Sequence, residues 1–359
     1  MDDICFRIND VYREIGEALL PIDGYQNEPL VSLDKAVQPL ISLFPENDLL
    51  TKVWTAKERC RNPADGLSQD ESASIMLYTF QWNDHQKSLY FLLNKALREA
   101  DRQALRPWFL YLRLFIDALL QLPPINDVVF RGVKQDFSTK YTPEGKLTWW
   151  GLSSCTNNIQ TLQNEQFCGK TSTRTIFSIK CFAGRNIKNH SYYMNENEIL
   201  LLPGRYLQVT GSYNAADGMH MIQLEEIHPP HEFLKLPPVK PWRRIESGAS
   251  LLGMCTNPEC NAHRKEVIIP IGFKTYDIVV DSSSLARCPM CTTYVNISKL
   301  GFNRCQWRLH GIRQQNSTSP PIPFLHERTQ APRHSLIEYN LKENETVWRQ
   351  LILETIPEN

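Results

Sequence analysis

The adjacent prolines Pro123-Pro124 divide this chain into two kinds of periodicity, and that division constrains the fold more than any other feature. Upstream, Leu89, Leu92, Leu93, Ala96, Leu97 and Ala100 recur at intervals of three and four and trace an amphipathic helix. Pro107 stands at the first turn of a second helix, with Trp108, Leu112, Phe115, Ile116 and Leu119 as its apolar face; the proline pair ends it. Downstream, β-branched and aromatic runs take over at 128–133, 175–181, 206–209 and 221–224. Short strands after a helical block imply an α+β domain.

Composition excludes several classes of protein. With 359 residues, 42% hydrophobic and 22% charged, the chain has ordinary globular usage and a length for two or three domains. Lys+Arg 39 balances Asp+Glu 39, so no overall charge draws it to nucleic acid or an anionic membrane. Met1-Asp2-Asp3 is acidic where a signal peptide is basic, and no apolar run approaches about 18 residues. The expectation is a cytoplasmic or otherwise intracellular protein with no membrane partner.

Three short segments carry the chemistry. Glu196-Asn197-Glu198 enters the apolar run Ile199-Leu200-Leu201-Leu202. At a strand entrance, side chains repeat every second residue, so both carboxylates point the same way and share one space. Paired carboxylates suit a positive partner, such as a glycosyl oxocarbenium ion or a guanidinium. In 128–133 the β-run holds Arg131 and Gly132. An arginine there needs an anion, and its fork fits a phosphate or carboxylate, while glycine lets a ligand approach the backbone. In Trp149-Trp150-Gly151-Leu152-Ser153-Ser154-Cys155-Thr156, small hydroxyl and thiol side chains stand behind aromatics, ready to orient neighbours.

In the order Arg131, Ser154-Cys155-Thr156, Glu196-x-Glu198, these segments resemble the arginine, serine and Glu-x-Glu motifs of the cholera-toxin-like mono-ADP-ribosyltransferases. Residues 75–79, 89–98 and 201–204 resemble the eukaryotic arginine-specific branch, so the likeness spans about 67–227. One departure is Ser-Cys-Thr in place of Ser-Thr-Ser. The resemblance implies an ADP-ribosyltransferase fold, in which a helical lobe and two packed, mainly antiparallel sheets form a cleft for NAD. No Gly-x-Gly-x-x-Gly occurs, as expected of that site.

By the same resemblance, Arg131 holds the phosphates of NAD, the Gly132 backbone meets the nicotinamide amide, and Ser154 positions Glu198. Glu198 bonds the ribose and stabilises positive charge as nicotinamide leaves. Glu196 receives the acceptor guanidinium and helps remove its proton, which marks arginine on a target protein as the acceptor. Tyr192 and Tyr193 resemble the family's substrate-recognition turn, and Phe167 could stack on nicotinamide. The alternatives are an NAD glycohydrolase and an inactive binding protein acting through its second domain.

That second domain is marked by cysteine. Cys255-x4-Cys260 and Cys288-x2-Cys291 approach zinc-ribbon spacing, with His263 able to replace one ligand of the first pair; they predict a small zinc-ribbon-like domain holding structural Zn2+. Cys305 belongs to strand packing. Between Lys240 and Arg313, eleven Lys/Arg face five Asp/Glu, compatible with an acidic or nucleic-acid partner. The expected organisation is a helical leader at 1–66 with Leu33, Val37, Leu40 and Ile41 on one face, then a catalytic domain at 67–228. A proline-rich linker at 229–248 leads to a zinc-binding module at 249–313. Residues 314–359 follow as a linker and a short helix bearing Val347, Trp348, Leu351, Ile352 and Thr355.

Overall fold

The computed structural model describes residues 19–44, 48–65, 67–163, 168–169, 173–194, 197–215, 218–238, 240–315, 318–331, 336–341 and 346–357. They form two compact units divided between Pro237 and Pro238. Glu196, Phe167 and the first eighteen residues of the expected leader lie outside the described residues.

The first unit opens with helices α1 (Leu33–Ala36), α2 (Asp48–Arg59), α3 (Gln69–Thr79), α4 (Leu89–Arg98) and α5 (Phe109–Gln121). Helix α3 is buried on every side from Glu71 to Thr79, which makes it the centre of the lobe. A capping box starts it: Ser68 and Glu71 satisfy each other's backbone amides. The Glu71 carboxylate accepts from the Ser68 amide and hydroxyl and also from Gln121 of α5 at 2.7 Å, which gives its buried charge a third donor. Leu33, Val37 and Leu40 join the core of α3 to α5, whereas Ile41 faces solvent. Pro107 lies inside a 3-10 turn, Arg102–Trp108, and α5 begins just after it.

Strands β1 (Pro124–Val133), β2 (Lys146–Trp149), β3 (Ser153–Thr156), β4 (Arg174–Asn186), β5 (Glu198–Leu201), β6 (Arg205–Ala215) and β7 (Met219–Glu226) follow. Their order is β1-β3-β5-β4-β7-β6-β2, antiparallel except between β4 and β7. Because β4 also pairs with β1, strands β1, β3, β5 and β4 close into a ring. Strand β5 is buried on both faces: Leu200 meets the helical core, while Ile199 and Leu201 meet a second core drawn from all seven strands.

The first half of the expected 229–248 linker is part of this unit. Ile22 and residues 233–235 are joined by backbone hydrogen bonds of 2.8 and 3.0 Å, and Phe233 and Leu234 enter the helical core. The flanking prolines lie in irregular backbone, and burial of the two apolar side chains between them favours docking over a solvated linker.

The second unit contains β8 (Gly248–Met254), β9 (Glu266–Gly272), β10 (Thr275–Asp277), helix α6 (Ile278–Leu285), β11 (Asn296–Asn303), β12 (Cys305–Gln314), β13 (Ile322–Ala331), β14 (Ile337–Asn340) and β15 (Val347–Pro357). Two four-stranded antiparallel sheets, β10-β15-β12-β13 and β14-β11-β8-β9, enclose one core. The expected C-terminal helix is instead β15, paired on both edges. Leu351, Leu353 and Thr355 are its buried residues, a period of two that the shorter apolar stripe concealed. The linker expected to open 314–359 is the connection between the paired strands β12 and β13.

Candidate active site

Three consecutive strands of the ring carry the three motifs: Arg131 on β1, Ser154 on β3 and Glu198 on β5. Strand β3 is the link. Its Thr156 pairs with Phe130 of β1 on one edge and with Glu198 of β5 on the other. Arg131, Ser154 and Glu198 are 1%, 1% and 2% exposed, so all three are interior groups. Side chains alternate along a strand, so Ser154, Thr156, Glu198 and Leu200 share one face of the β3–β5 pair.

The register places Ser154 diagonally next to Glu198 on this face. Directly opposite Glu198 stands Thr156, and Ser154 stands opposite Leu200. Among the described residues, Ser154 Oγ is buried with no hydrogen-bond partner. The Ser154 carbonyl, by contrast, accepts from Arg131 Nη1 at 3.2 Å, and the guanidinium lies 5.8 Å from the Trp149 ring. Arg131 therefore ties β1 to β3 from inside.

Gly132 is also explained by packing. A Cβ at this position would stand 2.9 Å from Cys168 Cβ and 3.4 Å from Leu162, so only glycine fits. The close approach is made here by Cys168. Beyond Phe130, β1 has no ladder partner on its β3 edge among the described residues.

Two residues of α4 complete the surroundings. Asn94, buried on a helix whose stripe is otherwise apolar, accepts from the Leu152 amide at 2.8 Å and so fixes the entry to β3. One turn on, the Arg98 guanidinium lies against Gly151, where an added Cβ would meet Nη2 at 2.8 Å. Sequence reasoning gave this helix no chemistry. An asparagine within its buried stripe was the available signal.

In the second unit, Cys255, Cys260, Cys288 and Cys291 converge with all four sulfurs within 4.8 Å of one another. Cys255 and Cys291 are 3.8 Å apart, and Cys260 and Cys288 3.9 Å. Four sulfurs at about 2.3 Å from a tetrahedral zinc stand roughly 3.8 Å apart, so the thiols fit that ion. The loops are built for it. The Ala262 amide donates to Cys260 Sγ at 3.3 Å, and Thr292 takes φ 58° to turn the chain after Cys291. Hydrogen bonds from Thr293, side chain first and then backbone, pull the Cys291 thiol down to about 6. His263 is not among the converging groups, and Cys305 is buried in β12.

The sequence model of the family described as NAD:arginine ADP-ribosyltransferase matches residues 35–230, more than half of the chain. The chain belongs to this family, whose chemistry is NAD-dependent mono-ADP-ribosylation of arginine with release of nicotinamide. Its acceptor, at that level, is an arginine-bearing protein. A search of curated proteins gave no match. Among solved structures, the chain is similar to Vis toxin, an ADP-ribosyltransferase from Vibrio splendidus, at 17% identity over 58% of this chain and 92% of that one, with a TM-score of 0.38. It is similar to the ADP-ribosyltransferase HopU1 of Pseudomonas syringae pv. tomato at 19%, over 55% and 88%, with a TM-score of 0.38. The eukaryotic mono-ADP-ribosyltransferase ART2.2 is similar at 20%, over 60% and 98%, with a TM-score of 0.39. No described helix is long and apolar enough to cross a membrane.

Proposed function

We propose that the β3–β5 face bearing Ser154, Thr156 and Glu198, with β1 as the neighbouring strand, is the catalytic site of this transferase and that Glu198 carries the reaction. The observation that supports it most is the adjacency of the three motif strands, with Arg131, Ser154 and Glu198 all buried. Away from water, the Glu198 carboxylate stabilises the positive charge that grows on the nicotinamide ribose as nicotinamide departs. Ser154 Oγ, a buried hydroxyl lacking a partner on the same face, takes a hydroxyl or amide of NAD as its partner. Thr156 faces Glu198 and limits its rotamers, and Arg131 braces β1 against β3 while its charge favours the pyrophosphate. Gly132 offers backbone groups to the nicotinamide amide.

Glu196 is the acceptor-side carboxylate. An arginine with pKa above about 12 is a poor nucleophile until a base or charge partner handles its proton, and Glu196 supplies that group two residues ahead of Glu198. In a comparison of labelled NAD with and without agmatine, Glu196→Gln is expected to keep nicotinamide release while losing transfer to agmatine. Equal transfer by this variant and the wild type removes Glu196 from the reaction.

Cys255, Cys260, Cys288 and Cys291 hold a structural Zn2+, which contributes folding energy to the second unit and no catalytic step. Four thiols poised for a metal rather than paired as disulfides favour an intracellular setting, the cytoplasm in our reading.

A further inference from the structure

The segment that runs from β4 to Glu198 is anchored in two separate ways. At its base, the Ile187 amide donates to the Glu198 carbonyl at 3.0 Å. Its near half is fastened to the helical lobe through His190, which is wholly buried. His190 Nδ1 stands 2.9 Å from the Ser72 hydroxyl on α3, and Nε2 stands 3.1 Å from the Asp65 carboxylate. A carboxylate only accepts, so Nε2–H donates to Asp65; in the neutral ring, the Ser72 hydroxyl donates to Nδ1. Asp65 takes a second bond from Asn189 Nδ2 at 3.1 Å and sits at φ 56°, a left-handed conformation that aspartate tolerates better than most residues.

Two residues further on, the Tyr192 amide donates to Thr79 Oγ1 at 2.8 Å. Its ring lies 4.4 Å from Phe80 and 4.2 Å from the Arg59 guanidinium, and the Tyr193 hydroxyl donates to Gln81 at 3.1 Å.

Aspartate, histidine and serine are the residue types of a hydrolase relay, yet this arrangement cannot cleave anything. Ser72 is 1% exposed, and its hydroxyl also lies 3.2 Å from Cys60 Sγ, so no substrate carbonyl reaches it. A satisfied buried network of this kind fixes geometry. What it fixes here is the Tyr192-Tyr193 turn, whose side chains are half-buried and lead to the exposed Met194. Glu198 is held independently, by its ladder partner Thr156 and by the pairing of the following residues with β4.

We propose that His190, through Asp65 and Ser72, is a positioning residue for the arginine acceptor. It holds the Tyr192-Tyr193 turn, which leads within three residues to the acceptor-side Glu196 proposed above, whereas NAD cleavage does not depend on it. This rests on the assignment of catalysis to Glu198 and separates acceptor binding from that step.

The test uses the full chain and agmatine as the acceptor. Asp65 is 40% exposed, so Asp65→Ala removes the outer anchor of His190 without opening the core. Its KM for agmatine is expected to rise about tenfold, while nicotinamide release without acceptor changes by less than about twofold. Asp65→Gly, which suits φ 56° but lacks the oxygen, is expected to match Asp65→Ala, whereas Asp65→Asn keeps an oxygen for Nε2–H and recovers most of the lost agmatine affinity; backbone strain alone would spare the glycine variant. If wild-type protein transfers to agmatine and Asp65→Ala leaves that KM unchanged, or lowers NAD cleavage in parallel, the inference fails alone. Absence of transfer by the wild type overturns it together with the site assignment.

Discussion

A guanidinium that is 1% exposed persists in a protein interior only where its donors and charge are accommodated, and Arg131 shows one way of doing so. Its Nη1 is taken by a backbone carbonyl of the neighbouring strand, and its cationic face lies near an indole. Substitution should therefore act on stability as well as on NAD. Arg131→Ala leaves the Ser154 carbonyl without this donor and a void beside Trp149, and is expected to cost about 3 kcal/mol in urea unfolding. Arg131→Lys keeps the charge but not the planar fork and should restore only part of that loss. An alanine variant as stable as the wild type contradicts an interior bracing role.

At the scale of elements, two helices were legible from apolar residues recurring at three and four, whereas α3, buried on every side, offers no such stripe. The stripe through Leu89, Leu93, Ala96 and Leu97 became α4, and the one through Leu112, Phe115, Ile116 and Leu119 became α5. Strands β1, β4, β6 and β7 were legible from β-branched and aromatic runs. The C-terminal strand was not, since Val347, Trp348, Leu351, Ile352 and Thr355 fit a helical stripe while Leu351, Leu353 and Thr355 fit a strand. Only the pairing with β10 and β12 decides between them. The decisive position is Leu353, which is fully buried yet absent from the helical stripe. Leu353→Ala is expected to cost about 2–5 kcal/mol in chemical denaturation, whereas Ile356→Ala, on the solvent side, costs under about 1 kcal/mol. Equal costs at the two positions would contradict the strand.

Of the candidate site, local chemistry singled out Arg131, the Glu196-x-Glu198 pair and the small polar run from Ser153 to Thr156, and the family resemblance chose Ser154 within that run; the β3–β5 register that sets Thr156 opposite Glu198 is a tertiary choice with no local signal. The same holds for Asn94 and His190, polar residues whose partners lie far away in sequence.

At the scale of the molecule, the two units divide the work. Every residue proposed for NAD cleavage belongs to the first unit, and the four cysteines belong to the second. Cys288→Ser/Cys291→Ser is therefore expected to lose about one equivalent of zinc by metal analysis and to lower the unfolding transition of the second unit. Unchanged metal content would remove the zinc assignment.

The central claim is that the buried carboxylate of Glu198, on a strand next to that of Ser154 and two from that of Arg131, drives departure of nicotinamide. Its most direct test measures nicotinamide released from labelled NAD, with agmatine present, by the wild type and by Glu198→Ala. Release and ADP-ribosylagmatine formation by the wild type, with both abolished in the variant, is the expected result; equal release by the two proteins would contradict the account.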